Sequence, residues 1–119
     1  MNIGKETLKG NIDIIILSLL KEKDMYGYEI AKLVRDKSQN QFEIKEATLY
    51  LSLKRLSKNN LVVAYWSQVQ GSGPRRKYYK ITSEGANSLM EKVSEWNFFK
   101  NIIETFLATD RGDSSAGSK

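Results

Sequence analysis

Between Lys45 and Lys80 the sequence sets eight basic residues, Lys45, Lys54, Arg55, Lys58, Arg75, Arg76, Lys77 and Lys80, against one carboxylate, Glu46. That stretch carries +7 within a chain whose net charge is +5, so the remainder sums to −2. Ammonium and guanidinium groups clustered this way neutralise a polyanion rather than cleave a bond. A basic patch confined to one part of a slightly acidic chain is the electrostatic footprint of a phosphate-backbone binder. An acidic membrane surface is the rival target, but it selects a basic amphipathic helix with a free apolar face. Here the apolar face is needed for a core.

Little else in the chain could do covalent chemistry. There is no cysteine, which excludes a disulfide scaffold, a thiolate metal site and a cysteine nucleophile. Histidine, the commonest general base and metal ligand, is also absent. Asp13, Asp24, Glu46 and the lysines remain, with no Gly-rich phosphate loop and no acid/base pairing among them. No enzyme activity, cofactor or metal is expected. No uncharged run approaches the ~20 residues that cross a bilayer. Met1 to Lys9 does not read as a signal peptide, because Glu6 interrupts it. With 119 residues, 40% of them apolar and 28% charged, the chain suits one domain with a modest core. A cytoplasmic location is expected.

The basic residues need elements to position them. At about 100° per residue, Leu49, Leu53 and Leu56 fall on one side of a helix that starts near Glu46. The opposite side carries Ala47, Leu51, Lys54, Arg55 and Lys58, flanked by Thr48 and Tyr50. A buried stripe opposed by a basic face with small or apolar spots suits a helix that enters a DNA groove. Taken alone, it also describes an ordinary amphipathic helix with a solvated face. Lys58-Asn59-Asn60 ends the helix, asparagine being a tolerable left-handed cap.

Upstream, Lys5 to about Lys23 reads as a first helix with Leu8, Ile12, Ile15, Ile16, Leu19 and Leu20 in one stripe. Ile14 and Leu17 add apolar surface on another side, which a partner subunit is expected to cover. The isoleucine-rich run also suits a buried strand, but its length and charged flanks favour helix. Asp24 to Tyr28 breaks it, Gly27 supplying a turn, and Tyr28, Ile30, Ala31, Leu33 and Val34 start a second helix ending near Lys37. Ser38 to Gln41 is a polar loop, and Phe42 and Ile44 form a short extended piece.

Downstream, Leu61 to Gln68 and Lys77 to Ile81 read as strands, joined by a loop with two glycines and the only proline. Three helices followed by a hairpin with a basic tip is the order of a winged helix-turn-helix. Thr82 or Ser83 can cap a last helix. On it Leu89, Val93, Trp96, Phe99 or Lys100, Ile103 and Leu107 recur close to a heptad seam. That helix spans about 25 residues, or roughly 38 Å, and is read as a dimerisation arm. The expected fold is therefore mainly α with a small β-hairpin. Residues 1–81 form the winged helix-turn-helix, 82–108 the C-terminal dimerisation helix and 109–119 a disordered tail.

The order and the residues together resemble the PadR-like family of bacterial transcriptional regulators. The resemblance rests on Tyr26-Gly27-Tyr28-Glu29-Ile30 and on Ala47-Thr48-Leu49-Tyr50 with Leu53, Arg55 and Leu56. Arg75-Arg76-Lys77-Tyr78-Tyr79-Lys80-Ile81-Thr82, followed by Gly85, completes it. The small size and single last helix look most like the multidrug-responsive branch typified by the lactococcal multidrug resistance repressor. That likeness implies a dimer pore lined by Trp96, with Ile14, Leu17, Leu89, Val93, Phe99, Lys100 and Ile103 around it. Phe99 and Lys100 depart from the typical member by making the space bulkier and more basic. The usual alternative for such an aromatic stripe is core or dimer packing.

On this reading the chain is a repressor that binds a palindromic double-stranded operator as a homodimer, formed through its first and last helices. A small planar aromatic effector would release it. Ala47, Thr48, Tyr50 and Leu51 occupy the early turns that meet base edges. Ala47 and Leu51 would touch thymine methyls, Thr48 a base or phosphate, and Tyr50 a phosphate unless it packs against the first helix. Lys54, Arg55 and Lys58 would meet phosphates, and Lys5 and Lys45 join them. Arg75, Arg76 and Lys77 would reach the minor groove or backbone, the alternative for Arg76 or Lys77 being a solvated strand end. The competing class is a winged-helix protein-interaction module without ligand response.

Overall fold

A computed structural model describes residues 3–67 and 73–110, with side chains to residue 108. The hairpin tip and the tail expected to be disordered, apart from 109 and 110, lie outside these residues. The chain divides into two compact units, Met1–Leu89 and Met90–Lys119, each described by itself.

In the first unit, helix α1 (Lys5–Glu22) buries Ile12, Ile16, Leu17, Leu19 and Leu20. It packs against two further helices, α2 (Gly27–Lys37) and α3 (Glu46–Lys58), and against a strand of the sheet. The chain thus covers α1 from several sides, and this corrects one expectation. Leu17 does not wait for a partner: it is wholly buried, while Ile14 is half-buried. The core also takes Ile30 and Val34 of α2, Ile44, and Leu49, Leu53 and Leu56 of α3. Tyr28, read as part of the apolar start of α2, is 60% exposed instead.

Both short helices end in the same way. After α3, Asn60 has φ 64°, its amide donates to Ser57 O at 3.1 Å, and the Leu61 amide donates to Leu56 O at 2.9 Å. After α2, Gln39 has φ 55°, donating to Asp36 O, while Asn40 donates to Arg35 O. These paired bonds satisfy the last carbonyls of each helix and reverse the chain.

Three antiparallel strands follow the order β1-β3-β2: β1 (Met25–Tyr26), β2 (Val62–Trp66) and β3 (Lys77–Ile81). β2 and β3 form the expected hairpin, with Val62 opposite Ile81 and Trp66 opposite Lys77. β1 was expected as a turn. Two residues show no alternation, and its pairing partner, Met25 opposite Tyr79, lies far along the chain.

Helix α4 (Ser83–Asp110) starts at Thr82, whose hydroxyl accepts from the Gly85 amide at 2.9 Å and donates to Asn60 O at 2.7 Å. One N-cap side chain thus satisfies an orphan amide and ties α4 to the end of α3. Leu89 is the last core residue of the first unit. In the second unit, Met90, Trp96, Phe98, Phe99, Ile103, Phe106 and Leu107 are all exposed.

Candidate nucleic-acid interface

The outer face of α3 carries the residues assigned to it. Ala47, Tyr50, Leu51, Lys54, Arg55 and Lys58 are exposed and Thr48 is half-buried, while Leu49, Leu53 and Leu56 are sealed beneath them. Leu51, at 67% exposure, is an apolar side chain in solvent at the centre of a basic face. Lys45 is exposed at the N-cap and Glu46 lies in the first turn, where a carboxylate suits the helix dipole.

Two contacts hold this face in place. The Arg55 guanidinium pairs through Nη2 with Asp13 Oδ1 on α1. The Tyr50 ring lies over Gly27 at the start of α2, and a methyl there would meet Tyr50 Oη at 2.3 Å and Cζ at 2.7 Å. Tyr50 therefore packs on α2, not on α1 as the packing alternative supposed. It remains 44% exposed. A shallow cleft of about 190 Å³ runs between α1 and α3, lined by Lys9, Thr48, Leu51 and Arg55 among others. Lys9 escaped the sequence reading, although it follows Lys5 at the i+4 spacing that puts both on one face of α1.

The hairpin is organised by aromatic rings. Tyr65 and Tyr78 stack at 5.8 Å, Tyr78 meets Tyr26 edge-on at 5.4 Å, and Tyr26 stacks with Tyr28 at 6.3 Å. This row crosses all three strands, and sequence reasoning missed it because it depends on β1. The Arg76 guanidinium lies 4.8 Å from the Tyr26 ring centre, and Arg75 lies 5.5 Å from that of Trp66. Resting a guanidinium on a ring limits its rotamers while leaving its edge donors free. The Arg76 carbonyl accepts from Ser67 N at 2.8 Å, and its amide donates to Ser67 Oγ at 3.1 Å. Arg75, Arg76 and Lys77 are all exposed. The Tyr65 hydroxyl donates to Asp24 Oδ2 at 2.5 Å, and chiefly for that reason its pKa is raised. Burial raises that of Tyr79, with a smaller contribution from Tyr50.

The residues assigned to a ligand pore divide between the two units. In the first, Leu17 and Leu89 are buried in the core and Ile14 is half-buried. In the second, Val93, Trp96, Phe99, Lys100 and Ile103 are exposed on α4, with Lys100 Nζ 5.5 Å from the Trp96 ring centre. Asp13 and Asp24 are each engaged in holding another element. Among the described residues no cluster of His, Cys, Asp or Glu could hold a metal, and no helix is long and apolar enough to cross a membrane.

Three packed helices, a helix-turn-helix formed by α2 and α3, and a two-stranded wing braced by β1 define a winged helix-turn-helix protein. The chain belongs to the transcriptional regulator PadR-like family, which it matches over residues 16–91. It is similar to a transcriptional regulator from Clostridium thermocellum, at 43% identity and TM-score 0.79, covering 88% of this chain and 98% of that one. A PadR family transcription regulator from Clostridium difficile R20291 is 48% identical at TM-score 0.71, covering 82% and 98%. An uncharacterised Lysinibacillus sphaericus protein is 45% identical over 105 residues, which is 88% of this chain and 95% of that one.

Proposed function

We propose that this regulator is a DNA-binding repressor that binds a palindromic operator as a homodimer. The observation that carries this reading is the outer face of α3, where Ala47, Leu51, Lys54, Arg55 and Lys58 stand exposed over a sealed leucine stripe. Of the early-turn residues, Ala47 and Leu51 touch thymine methyls, Thr48 a base or phosphate and Tyr50 a phosphate, and Lys54, Arg55 and Lys58 anchor further phosphates. Arg75, Arg76 and Lys77 of the wing add backbone or minor-groove contacts, and Lys5 and Lys45 add charge around them. A two-fold pair of α3 helices spans adjacent major grooves, with α1 and α4 supplying the dimer contacts. Binding to chromosomal DNA implies a cytoplasmic location.

The exposed apolar length of α4 supports the dimer, and Trp96 beside Lys100 supports a pore for planar aromatic effectors, as in the multidrug-responsive branch. A ligand that favours one dimer geometry would separate or tilt the two reading helices and release the operator. The test is titration of the protein with duplex from upstream of its own gene, with and without planar aromatic compounds. Specific, salt-sensitive binding weakened by such a compound is expected. Failure to bind any duplex at physiological salt would leave the fold as a protein-interaction module.

A further inference from the structure

Asp13 belongs to the core-facing helix α1, yet its carboxylate is spent on Arg55 of the reading helix, far away in sequence. Its side chain is 18% exposed, whereas that of Arg55 is 47% exposed. The pair therefore has one end set into the fold and the other at the surface. Among the described residues this contact engages one guanidinium nitrogen, Nη2. An arginine carries five N–H donors in a rigid fork, so one charge-assisted bond restricts where the fork can lie and leaves the others for a second anion. We infer that Asp13 is a positioning residue for DNA binding, holding Arg55 in the orientation that meets a phosphate. The inference rests on the reading of α3 as the DNA-contacting helix.

Two physical effects oppose each other here, which makes the sign informative. Coulomb attraction alone says that removing a carboxylate from beside a basic face tightens its hold on a polyanion. Orientation says the reverse: a free arginine must give up side-chain entropy that Asp13 had already removed. Orientation wins if the Asp13 bond is what keeps the fork in register.

The experiment measures binding of a labelled duplex of about 30 base pairs from upstream of the gene, long enough for two half-sites a helical turn apart. Wild type, Asp13→Asn, Arg55→Ala and the double variant are compared across a salt series. Asp13→Asn keeps the shape and removes the charge. It is expected to weaken binding by roughly five- to tenfold, and Arg55→Ala by about tenfold, the scale of one charge-assisted hydrogen bond. The double variant should bind no more weakly than Arg55→Ala alone. Arg55→Ala should lower the salt slope by about 0.9, one phosphate contact, which loss of a merely structural brace would not do, whereas Asp13→Asn keeps the guanidinium and should leave the slope as in wild type. Equal or tighter binding by Asp13→Asn overturns the inference, as does an additive loss in the double variant. If Arg55→Ala binds like wild type while wing variants weaken binding, the inference fails and the DNA-binding reading stands. If wild type does not bind the duplex, that reading fails and takes the inference with it.

Discussion

Tyr65 on β2 donates its hydroxyl hydrogen to Asp24 Oδ2 at 2.5 Å, pinning the wing to the segment between α1 and β1. The bond exists only while the phenol keeps its proton, which is why the Tyr65 pKa is raised above its ordinary 10.0. A group with a raised folded-state pKa stabilises the fold fully below its unfolded value and loses that contribution as pH rises through the folded one. Tyr65→Phe should therefore melt lower than wild type by a constant margin from about pH 6 to 9, and the margin should shrink above about pH 10. Melting by circular dichroism across that range checks it. A margin unchanged at alkaline pH would mean the bond contributes nothing.

Gly85 sits where α4 begins, and a methyl there would lie 2.0 Å from Leu61 O and 2.8 Å from Ile81 Cγ1. The first of these is backbone and cannot step aside. Gly85→Ala should cost about 3 kcal/mol by overpacking, lowering the denaturation midpoint without changing the slope. Gly27→Ala meets first the outer ring and hydroxyl of Tyr50, a side chain partly in solvent. It should cost about 1 kcal/mol in stability but displace Tyr50 and weaken duplex binding. Loss of stability at Gly27 equal to that at Gly85 would show the Tyr50 ring to be locked.

The helices were legible because their signals are local. Leu49, Leu53 and Leu56 recur at helical spacing and are all buried, and Asn60 at the end of α3 takes the left-handed conformation expected of asparagine there. The burial of Leu17 was not legible. Apolar residues on two sides of α1 say that both sides need cover, and only the fold says that α2, α3 and β3 supply it. β1 and the tyrosine row depend on pairing between Tyr26 and Tyr78, which no window along the chain contains. The Asp13–Arg55 pair is invisible for the same reason.

Arg75 rests 5.5 Å from the Trp66 ring centre, so Trp66 can report on the wing. In a Trp96→Phe background, duplex binding should change Trp66 emission as Arg75 turns to a phosphate. Arg75→Ala with Arg76→Ala should abolish that change and lower the salt slope by about 1.8, two phosphate contacts at 0.9 each. A salt slope equal to that of wild type would assign the two arginines to the solvated surface.

The exposed apolar residues of α4 set the last expectation. Phe98, Phe106 and Leu107 are more than half, or half, exposed, which water penalises at about 25 cal/mol per Å² of apolar surface. A second chain that covers them recovers that cost, so the protein should sediment as a dimer at micromolar concentration. Phe98→Glu with Phe106→Glu should yield a monomer that stays folded through residue 89, because the first unit has its own core. That monomer should bind duplex far more weakly than the dimer, since each copy then holds one half-site alone. Trp96 separates dimer packing from ligand binding. Planar aromatic compounds that quench Trp96 in a Trp66→Phe dimer, and fail to quench it in the monomer, locate their site between the two copies of α4. Equal quenching in both would place it on a single helix, where Lys100 and Trp96 already meet. A dimer that no such compound quenches would leave Trp96 as a packing residue.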